Sequence, residues 1–218
     1  MTSSRAASPR SYHLGRRQEG IDATRDRIVT AAREGLAAGQ PLTLNGVAER
    51  ARVSRPTVYH HFNNRRGLLD AVIAAAQQES VAVAITAAKH PDPITAVLGW
   101  LRAAVEFWTE EADTMLLAWH VSEADSELSG AFEDQEQARL QRARTLARRL
   151  SEQNLLRRAW TVEEAALFLW LLSGPHSLQQ LRGTAPHPVQ FTLDTASRAL
   201  LTSHGRKAPL LIHNAQRP

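Results

Sequence analysis

The chain has 218 residues, with 26 Lys and Arg against 22 Asp and Glu and a formal net charge of +4. It has no cysteine, which excludes a disulfide framework and a thiolate metal site. No apolar run reaches the roughly 18 residues of a membrane span, and no signal-peptide core segment opens the chain, so we expect a cytoplasmic protein without a membrane partner.

Positive charge is concentrated near the amino terminus. Residues 1–70 hold 12 arginines and 6 acids, whereas the remaining residues hold 14 bases and 16 acids. A basic amino-terminal part on a near-neutral body is typical of a protein that binds a polyanion. A charge bias that only keeps the protein in solution is the alternative for this feature taken alone.

The first 40 residues divide into an arm and a helix. Residues 1–20 are rich in Ser, Arg, Gly and Pro, which predicts a disordered basic arm. Its arginines could follow a DNA minor groove, or the arm could be an untethered tail. Apolar residues at helical spacing then predict a first helix over about 22–38, ended by Gly39-Gln40-Pro41; they are Ile28, Val29, Ala32 and Leu36.

Two short helical patterns joined by a tight turn follow between residues 43 and 69. Thr43 is a good N-cap for the first pattern, although Gly46 gives it no capping-box partner. Val53 is predicted to be a buried plug in the turn. Ser54 caps the second helix, and Pro56 lies in its first turn, where a missing N–H costs nothing.

The second of these helices has one apolar side and one polar side. Val58 and Phe62 form the inward stripe, which leaves Arg, Thr, Tyr and His on the outer surface, without a single acid. Such groups bind phosphates and read base edges, so the pattern indicates a DNA-binding helix-turn-helix.

This segment resembles the signature of the tetracycline-repressor (TetR) family. The signature runs V-S-x-x-T-hydrophobic-Y-x-H-F, then a basic residue and a Leu pair, and the resemblance spans about residues 24–76. Arg52 stands where the family usually has Gly, so either a left-handed backbone strains this residue or Arg52 adds a phosphate contact. Arg65 replaces the usual Lys and keeps its charge.

Helix geometry and the resemblance together assign DNA-binding roles. Base-edge candidates lie at the exposed amino-terminal part of the second helix: Arg55, Pro56 and His60. Expected phosphate contacts are Thr57, Tyr59, His61 and Arg65, joined by Thr43 and Asn45 of the preceding helix. His61 could instead make a structural hydrogen bond near the turn.

The rest of the chain reads as helices without strand-like alternation. A fourth helix is predicted from Arg65 to Ala88, as a connection between the DNA-binding part and the body, and His90-Pro91-Asp92-Pro93 ends it. Helical spacing continues through residues 94–105, through Leu116, Leu117 and His120, and through a charged run over 130–154. Thr161 and Glu164 form a capping box that opens another helix, interrupted at Gly174-Pro175.

We therefore predict an all-α protein: a basic arm over 1–20, a helix-turn-helix domain over 21–68, a helical effector-binding and dimerisation domain over 69–204, and a flexible tail over 205–218. The run 165–172 is apolar all round and must be covered on more than one side. By the resemblance, the last two long helices form a four-helix seam in a homodimer, and the alternative is an intramolecular core. A dimer would place two recognition helices about 34–36 Å apart on an inverted repeat in double-stranded DNA.

The resemblance also implies a small-molecule pocket in the body. The candidate lining residues, each of which could instead be plain core, are Trp100, Phe107, Trp108, Trp119, His120, Phe168, Trp170 and His176. Glu106 could pair with a cation or simply face solvent.

No metalloprotease, hydrolase, Walker or dinucleotide-binding motif occurs in the sequence, so we expect no enzyme, no cofactor and no metal site. The sequence indicates a sequence-specific DNA-binding repressor released by a small hydrophobic or aromatic effector. The alternative is a helical sensor or scaffold that is regulated by protein contacts.

Overall fold

The computed structural model describes residues 9–203 and 205 of the chain. Over these residues ten α-helices follow one another, and an isolated antiparallel bridge joins Leu156 to Leu201. The helices are α1 (Pro9–Ala37), α2 (Leu44–Ala51), α3 (Arg55–Phe62), α4 (Arg65–Ala88), α5 (Pro93–Glu110), α6 (Ala112–Ala124), α7 (Glu133–Glu152), α8 (Val162–Leu172), α9 (Pro175–Leu181) and α10 (Pro188–Leu200). The predicted all-α class is therefore confirmed.

The chain divides into two compact units, Met1–Ala75 and Ala76–Pro218. The division falls inside α4, a few residues beyond the domain boundary predicted at residue 68. Four side chains in the first turns of α4 are fully buried, which explains why the first unit extends past that point; they are Leu68, Leu69, Val72 and Ile73.

The first unit is built on α1, which packs against α2, and α2 in turn packs against α3. All four apolar positions predicted to face inward on α1 are buried. The helix ends at Ala37, and Gly39 has a φ of 68°, a left-handed conformation that glycine adopts readily. The predicted stop is thus confirmed.

The start of α1 corrects one prediction. The helix begins at Pro9 rather than near residue 22, so residues 9–20, expected to be disordered, are helical. A helix that is already nucleated gains a hydrogen bond for each added residue, so it can extend through residues whose sequence has no apolar stripe. Residues 1–8 of the predicted arm and 206–218 of the predicted tail lie outside the described residues. Gly205, expected in that tail, is buried, and its N–H donates to the Thr202 hydroxyl at 3.2 Å.

Both predicted helix caps around the turn are present. The Thr43 hydroxyl accepts from the Gly46 N–H at 3.1 Å, and the Ser54 hydroxyl accepts from the Thr57 N–H at 3.2 Å. Between the two helices, Arg52 has φ 54° and ψ 45°, which is the left-handed region, and its N–H donates to carbonyls in the last turn of α2. The left-handed backbone considered for Arg52 is therefore real. Val53 is half-buried rather than fully buried.

In the second unit, α5 packs against α7, α9 and α10 and buries Trp100 and Leu101 almost completely. The predicted capping box opens α8: the Thr161 hydroxyl accepts from the Glu164 N–H at 3.2 Å, and the Glu164 carboxylate accepts from the Thr161 N–H at 2.8 Å. Hydrogen bonds from Thr161 to this carboxylate lower the pKa of Glu164. The predicted interruption is confirmed, because α8 ends at Leu172 and α9 begins at Pro175.

The rotation of α6 differs from the prediction. Helical spacing placed Leu116, Leu117 and His120 on one side, but the buried residues are Met115 and Ala118, and His120 is exposed. Each residue turns a helix by about 100°, so an offset of one position moves a side chain from the core to the surface. Consecutive apolar residues in this helix do not fix its rotation.

We expect Arg52→Gly to stabilise the protein. A left-handed backbone costs an L-residue about 1–2 kcal/mol. Glycine removes this cost but also stabilises the unfolded chain by about 0.5–1 kcal/mol through its greater conformational freedom. The net increase in the free energy of unfolding should therefore be about 0.5–1 kcal/mol. Urea denaturation followed by circular dichroism measures the difference in the free energy of unfolding. Arg52→Ala is the matched control, since it removes the same charge without relieving the backbone. Equal effects of both substitutions would contradict this interpretation of the turn.

Candidate nucleic-acid interface

The recognition helix candidate α3 has the predicted two sides. Val58 is 0% and Phe62 is 5% exposed, and these two residues anchor the helix. Tyr59, the largest side chain facing outward, is 60% exposed. The other proposed base-edge and phosphate residues of α3 are also accessible: Arg55, Pro56 and His60 are exposed, and Thr57 and His61 are half-buried.

The amino terminus of α3 is ordered by hydroxyl groups. The Ser54 and Thr57 hydroxyls lie 2.8 Å apart and share a hydrogen bond. No acid lies in the first turn of the helix. The positive end of the helix dipole favours an anion at such a terminus. The same end of the helix carries Arg55, so its electrostatics suit a phosphate group.

Thr43 and Asn45, at the start of α2, are exposed as phosphate contacts would be. The Thr43 oxygen accepts the Gly46 N–H and therefore orients the hydroxyl. His61 packs beside Phe62, with ring centroids 5.9 Å apart.

Arg65 has a structural partner that sequence reasoning missed. Its Nε–H donates to the Leu42 carbonyl at 2.8 Å, which ties the first residue of α4 to the segment just before α2. This bond fixes the position of the neighbouring Thr43. Arg65 was assigned to a phosphate through its family position, and the partner of a long side chain depends on tertiary contacts that no local pattern reveals.

Arg25 is a further candidate that sequence reasoning missed. Its guanidinium carbon lies 5.4 Å from the centroid of the Phe62 ring, and the side chain is exposed. A cation over an aromatic face is held in place while its charge stays accessible. The helical spacing of Arg25 from Ile28 and Val29 places it on the inner edge of α1 and could have identified it.

Arg50, in contrast, is committed to the fold. Its guanidinium donates to the side chain of Gln40 and to the Ala31 carbonyl. The Arg50 guanidinium lies directly against Gly35, where a Cβ would force the guanidinium to shift. The bonds join α2 to α1.

The predicted effector-pocket residues differ in their surroundings. Trp119 lies beside Phe132 at 4.8 Å and His176 at 5.5 Å between ring centroids. Phe107 packs on Trp108, and both are buried. Trp100 lies in the core of the second unit, and Phe168 and Trp170 pack against that same core. Phe168 also packs on Trp160, Trp170 packs on Arg139, and His120 is exposed.

A cavity of about 370 Å³ lies at the corner between α9 and α10. Its lining residues include none of the eight predicted ones; they are Leu181, Thr184, Ala185, Pro186, His187, Gln190 and Phe191. The aromatic residues singled out in the sequence therefore do not surround this cavity.

Two other findings concern the described part of the chain. No group of three or more His, Cys, Asp or Glu residues is arranged there to hold a metal ion. By length and composition, no single helix in residues 9–203 could cross a membrane, and one bent pair of segments within Arg65–Ala88 passes that test only jointly, as buried core helices also can.

The first unit carries a helix-turn-helix and the second unit is helical, and comparison with known proteins agrees with this architecture. Residues 28–72 match the model of the bacterial regulatory proteins of the tetR family. No curated protein matches the chain.

Solved structures of this class resemble the chain over most of its length. SmeT, the repressor of the Stenotrophomonas maltophilia multidrug efflux pump SmeDEF, gives a TM-score of 0.64 at 18% identity, over 84% of this chain and 93% of SmeT. The SmeT–triclosan complex gives 0.65 at 19%, over 86% and 99%. NalD, the secondary repressor of the MexAB-OprM multidrug efflux pump in Pseudomonas aeruginosa, gives 0.65 at 19%, over 85% and 99%.

At these identities the structural likeness shows the fold, and the match over residues 28–72 adds the family. Residues 28–72 of the chain therefore resemble the segment that characterises the tetR family of bacterial regulatory proteins. This match and the fold support a DNA-binding transcriptional regulator with a helix-turn-helix domain.

Proposed function

We propose that this protein is a dimeric repressor that binds an inverted-repeat operator and is released by a small hydrophobic or aromatic effector. The acid-free outer surface of α3 supports specific DNA binding, because Arg55 and Tyr59 are exposed on a helix whose rotation is fixed by buried anchors. Repression is supported by analogy of fold with SmeT and NalD, which are described as repressors.

Dimerisation is supported by apolar residues that the single chain leaves uncovered. Leu167 and Leu171 of α8 are 41% and 54% exposed, and Phe191 of α10 is 47% exposed. The two leucines are four residues apart and form one ridge along α8. A two-fold mate that offers the same helices would cover this ridge with its own. The family resemblance assigns its dimer seam to these helices.

The binding of an effector is supported by two buried polar atoms of tryptophan side chains in the second unit. Within the described residues, the indole N–H groups of Trp119 and Trp170 are buried and have no acceptor. A buried donor without a partner costs about 1–3 kcal/mol, which an acceptor on a bound ligand would recover. Triclosan, present in a complex of the similar protein SmeT, is a compound to test first.

Release requires an effector that prefers a form unable to bind DNA. It must bind the form with wrongly spaced recognition helices more tightly than the DNA-competent form. α4 follows α3 directly in the chain and ends in the second unit, so a small tilt of this helix would change the spacing.

Arg55→Ala and Tyr59→Phe should weaken DNA binding in different ways. Arg55→Ala removes a base contact worth about 1–3 kcal/mol of discrimination and should relax sequence preference. Tyr59→Phe removes a phosphate hydrogen bond and should weaken all sequences alike. Selection from a random duplex library, followed by titration of selected and unrelated duplexes, measures both effects.

Arg158→Ala is the control, because Arg158 is exposed in the second unit, and it should change neither sequence preference nor DNA affinity. Wild-type affinity should fall steeply with salt, as phosphate neutralisation requires. Equal loss of preference in the Arg55 and Tyr59 variants would show that the roles are assigned wrongly. A wild-type protein that binds no duplex at low ionic strength would refute the proposal itself.

Leu171→Glu should convert the dimer to a monomer. The two-fold symmetry places the substitution twice in the seam, and burying each charge costs enough to raise the dissociation constant at least about a hundredfold. Sedimentation velocity over a concentration series measures this constant. Val83→Glu is the matched control, because Val83 is an exposed apolar residue of α4 outside the seam. A Leu171→Glu protein that stays dimeric would place the seam elsewhere.

A thermal-shift screen of hydrophobic and aromatic compounds should identify an effector. At a hundred times its dissociation constant, a ligand adds about 2.7 kcal/mol of stability, which raises the Tm by roughly 5–10 °C. The same compound should lower operator affinity, and Trp119→Phe, which removes the indole N–H together with the five-membered ring that carries it, should reduce the shift. A compound that stabilises the protein and leaves operator affinity unchanged would count against release by that ligand.

A further inference from the structure

The carboxy-terminal end of α4 is held by an arginine from another helix. Arg149, in the last turn of α7, donates from Nη1 to the Ala88 carbonyl at 2.7 Å and from Nη2 to the Pro91 carbonyl at 3.0 Å. Nη2 also donates to the His90 carbonyl. One guanidinium thus binds three backbone acceptors at the point where α4 stops and the chain turns toward α5.

The segment that Arg149 binds is ordered on its other side as well. The Asp92 N–H donates to His90 Nδ1 at 3.2 Å, and the Asp92 carboxylate caps α5 by accepting from the Thr95 N–H at 2.7 Å. One turn into α5, a Cβ at Gly99 would lie 3.1 Å from the Ala87 Cβ, so the two helices approach closely there. The end of α4, its connection and the start of α5 therefore form one defined corner of the second unit.

The carbonyl groups that Arg149 binds at the surface do not need an arginine for hydrogen bonding. The hydrogen bonds from Arg149 to His90 and Pro91 lie at the surface, where water could satisfy the same carbonyls. The guanidinium adds a fixed position, because its planar fork holds several acceptors at once and its charge suits the negative end of a helix.

A second arginine of α7 makes the same kind of contact with α8. Arg139 Nη1 donates to the Ser173 hydroxyl at 2.8 Å and to the Trp170 carbonyl, at the carboxy-terminal end of α8. Burial lowers the pKa of Arg139, and the adjacent carboxylate of Glu136 acts in the opposite direction. α7 is therefore bonded to the ends of both α4 and α8, the helix proposed for the dimer seam.

We infer that Arg149 is a positioning residue for operator binding: it fixes the end of α4 on α7, and this contact sets the spacing that an inverted repeat demands. The inference depends on the proposed function, since it assumes a dimer on a two-part operator. A protein without this contact still folds and still binds duplex DNA through each recognition helix. It loses the ability to distinguish the correct half-site spacing.

The experiment compares Arg149→Gln and Arg149→Lys with Arg148→Gln in the full chain. Arg148 is the adjacent residue on α7, exposed and without a partner in the described part of the chain, so its substitution removes the same charge without touching α4. Thermal unfolding first establishes that each variant folds. Hydrogen exchange of the amides over residues 84–88 then reports on the end of α4 without any DNA.

Arg149→Gln should speed exchange at these amides by about tenfold, as expected for a loosened helix end, and Arg148→Gln should leave it unchanged. Arg149→Lys should give an intermediate rate, because an ammonium group can hold fewer of the three acceptors. Unchanged exchange in Arg149→Gln would overturn the inference. If the glutamine variant does not fold, the lysine variant carries the same comparison.

Operator binding is measured on the inverted repeat selected by the wild-type protein, on versions lengthened or shortened by one base pair, and on an unrelated duplex. Arg149→Gln should lose about tenfold on the selected repeat, lose nothing on the unrelated duplex, and discriminate less between spacings. Equal loss on all duplexes, or full discrimination between spacings, would overturn the inference. Failure of the wild-type protein to select any inverted repeat would instead refute the proposed function. Hydrogen exchange alone would then test whether Arg149 holds the end of α4.

Discussion

Two buried side chains decide what the recognition helix offers to solvent. α3 has only eight residues, and Val58 and Phe62, four positions apart, are its buried anchors. Anchors at that spacing fix the rotation of the helix, so every other side chain is sent outward or sideways. The proposals about DNA depend on this rotation, since a turn of one residue would bury Tyr59 and expose Val58.

Neighbouring elements hold one of these anchors, Phe62, in place. A Cβ at Gly67 would lie 2.3 Å from the Phe62 carbonyl oxygen, so α4 starts directly against the end of α3. Arg25 of α1 covers the ring of Phe62. Two non-glycine residues with positive φ, Arg52 and Asn63, bracket the helix on either side. Such conformations persist only where surrounding contacts determine the chain path, so their presence shows how tightly α3 is held.

Sequence patterns predicted most of the helices because caps and apolar spacing are local signals. Ser54, Thr43 and the capping box before α8 marked helix starts that the structure has. Sequence patterns gave wrong predictions where the local signal was weak or where the outcome depended on contacts distant in the sequence. The sequence of residues 9–20 carries no apolar stripe, and α6 has too many adjacent apolar residues to define its rotation. On the candidate site, the outward face of α3 could be predicted, whereas the partners of Arg65 and Arg25 depend on which elements meet in the fold.

The net positive charge of the amino-terminal part is larger than the charge available to bind a polyanion. Arg50 and Arg65 donate to groups of the protein, and Arg66 forms an ion pair with Asp70 at 2.9 Å. These arginines join elements of the first unit to one another. Arg55, on α3, is exposed beside the Ser54 cap, where the helix dipole adds to its positive charge. Part of the basic footprint seen in the sequence therefore joins elements of the first unit, whereas Arg55, at the amino terminus of α3, keeps its charge exposed to solvent.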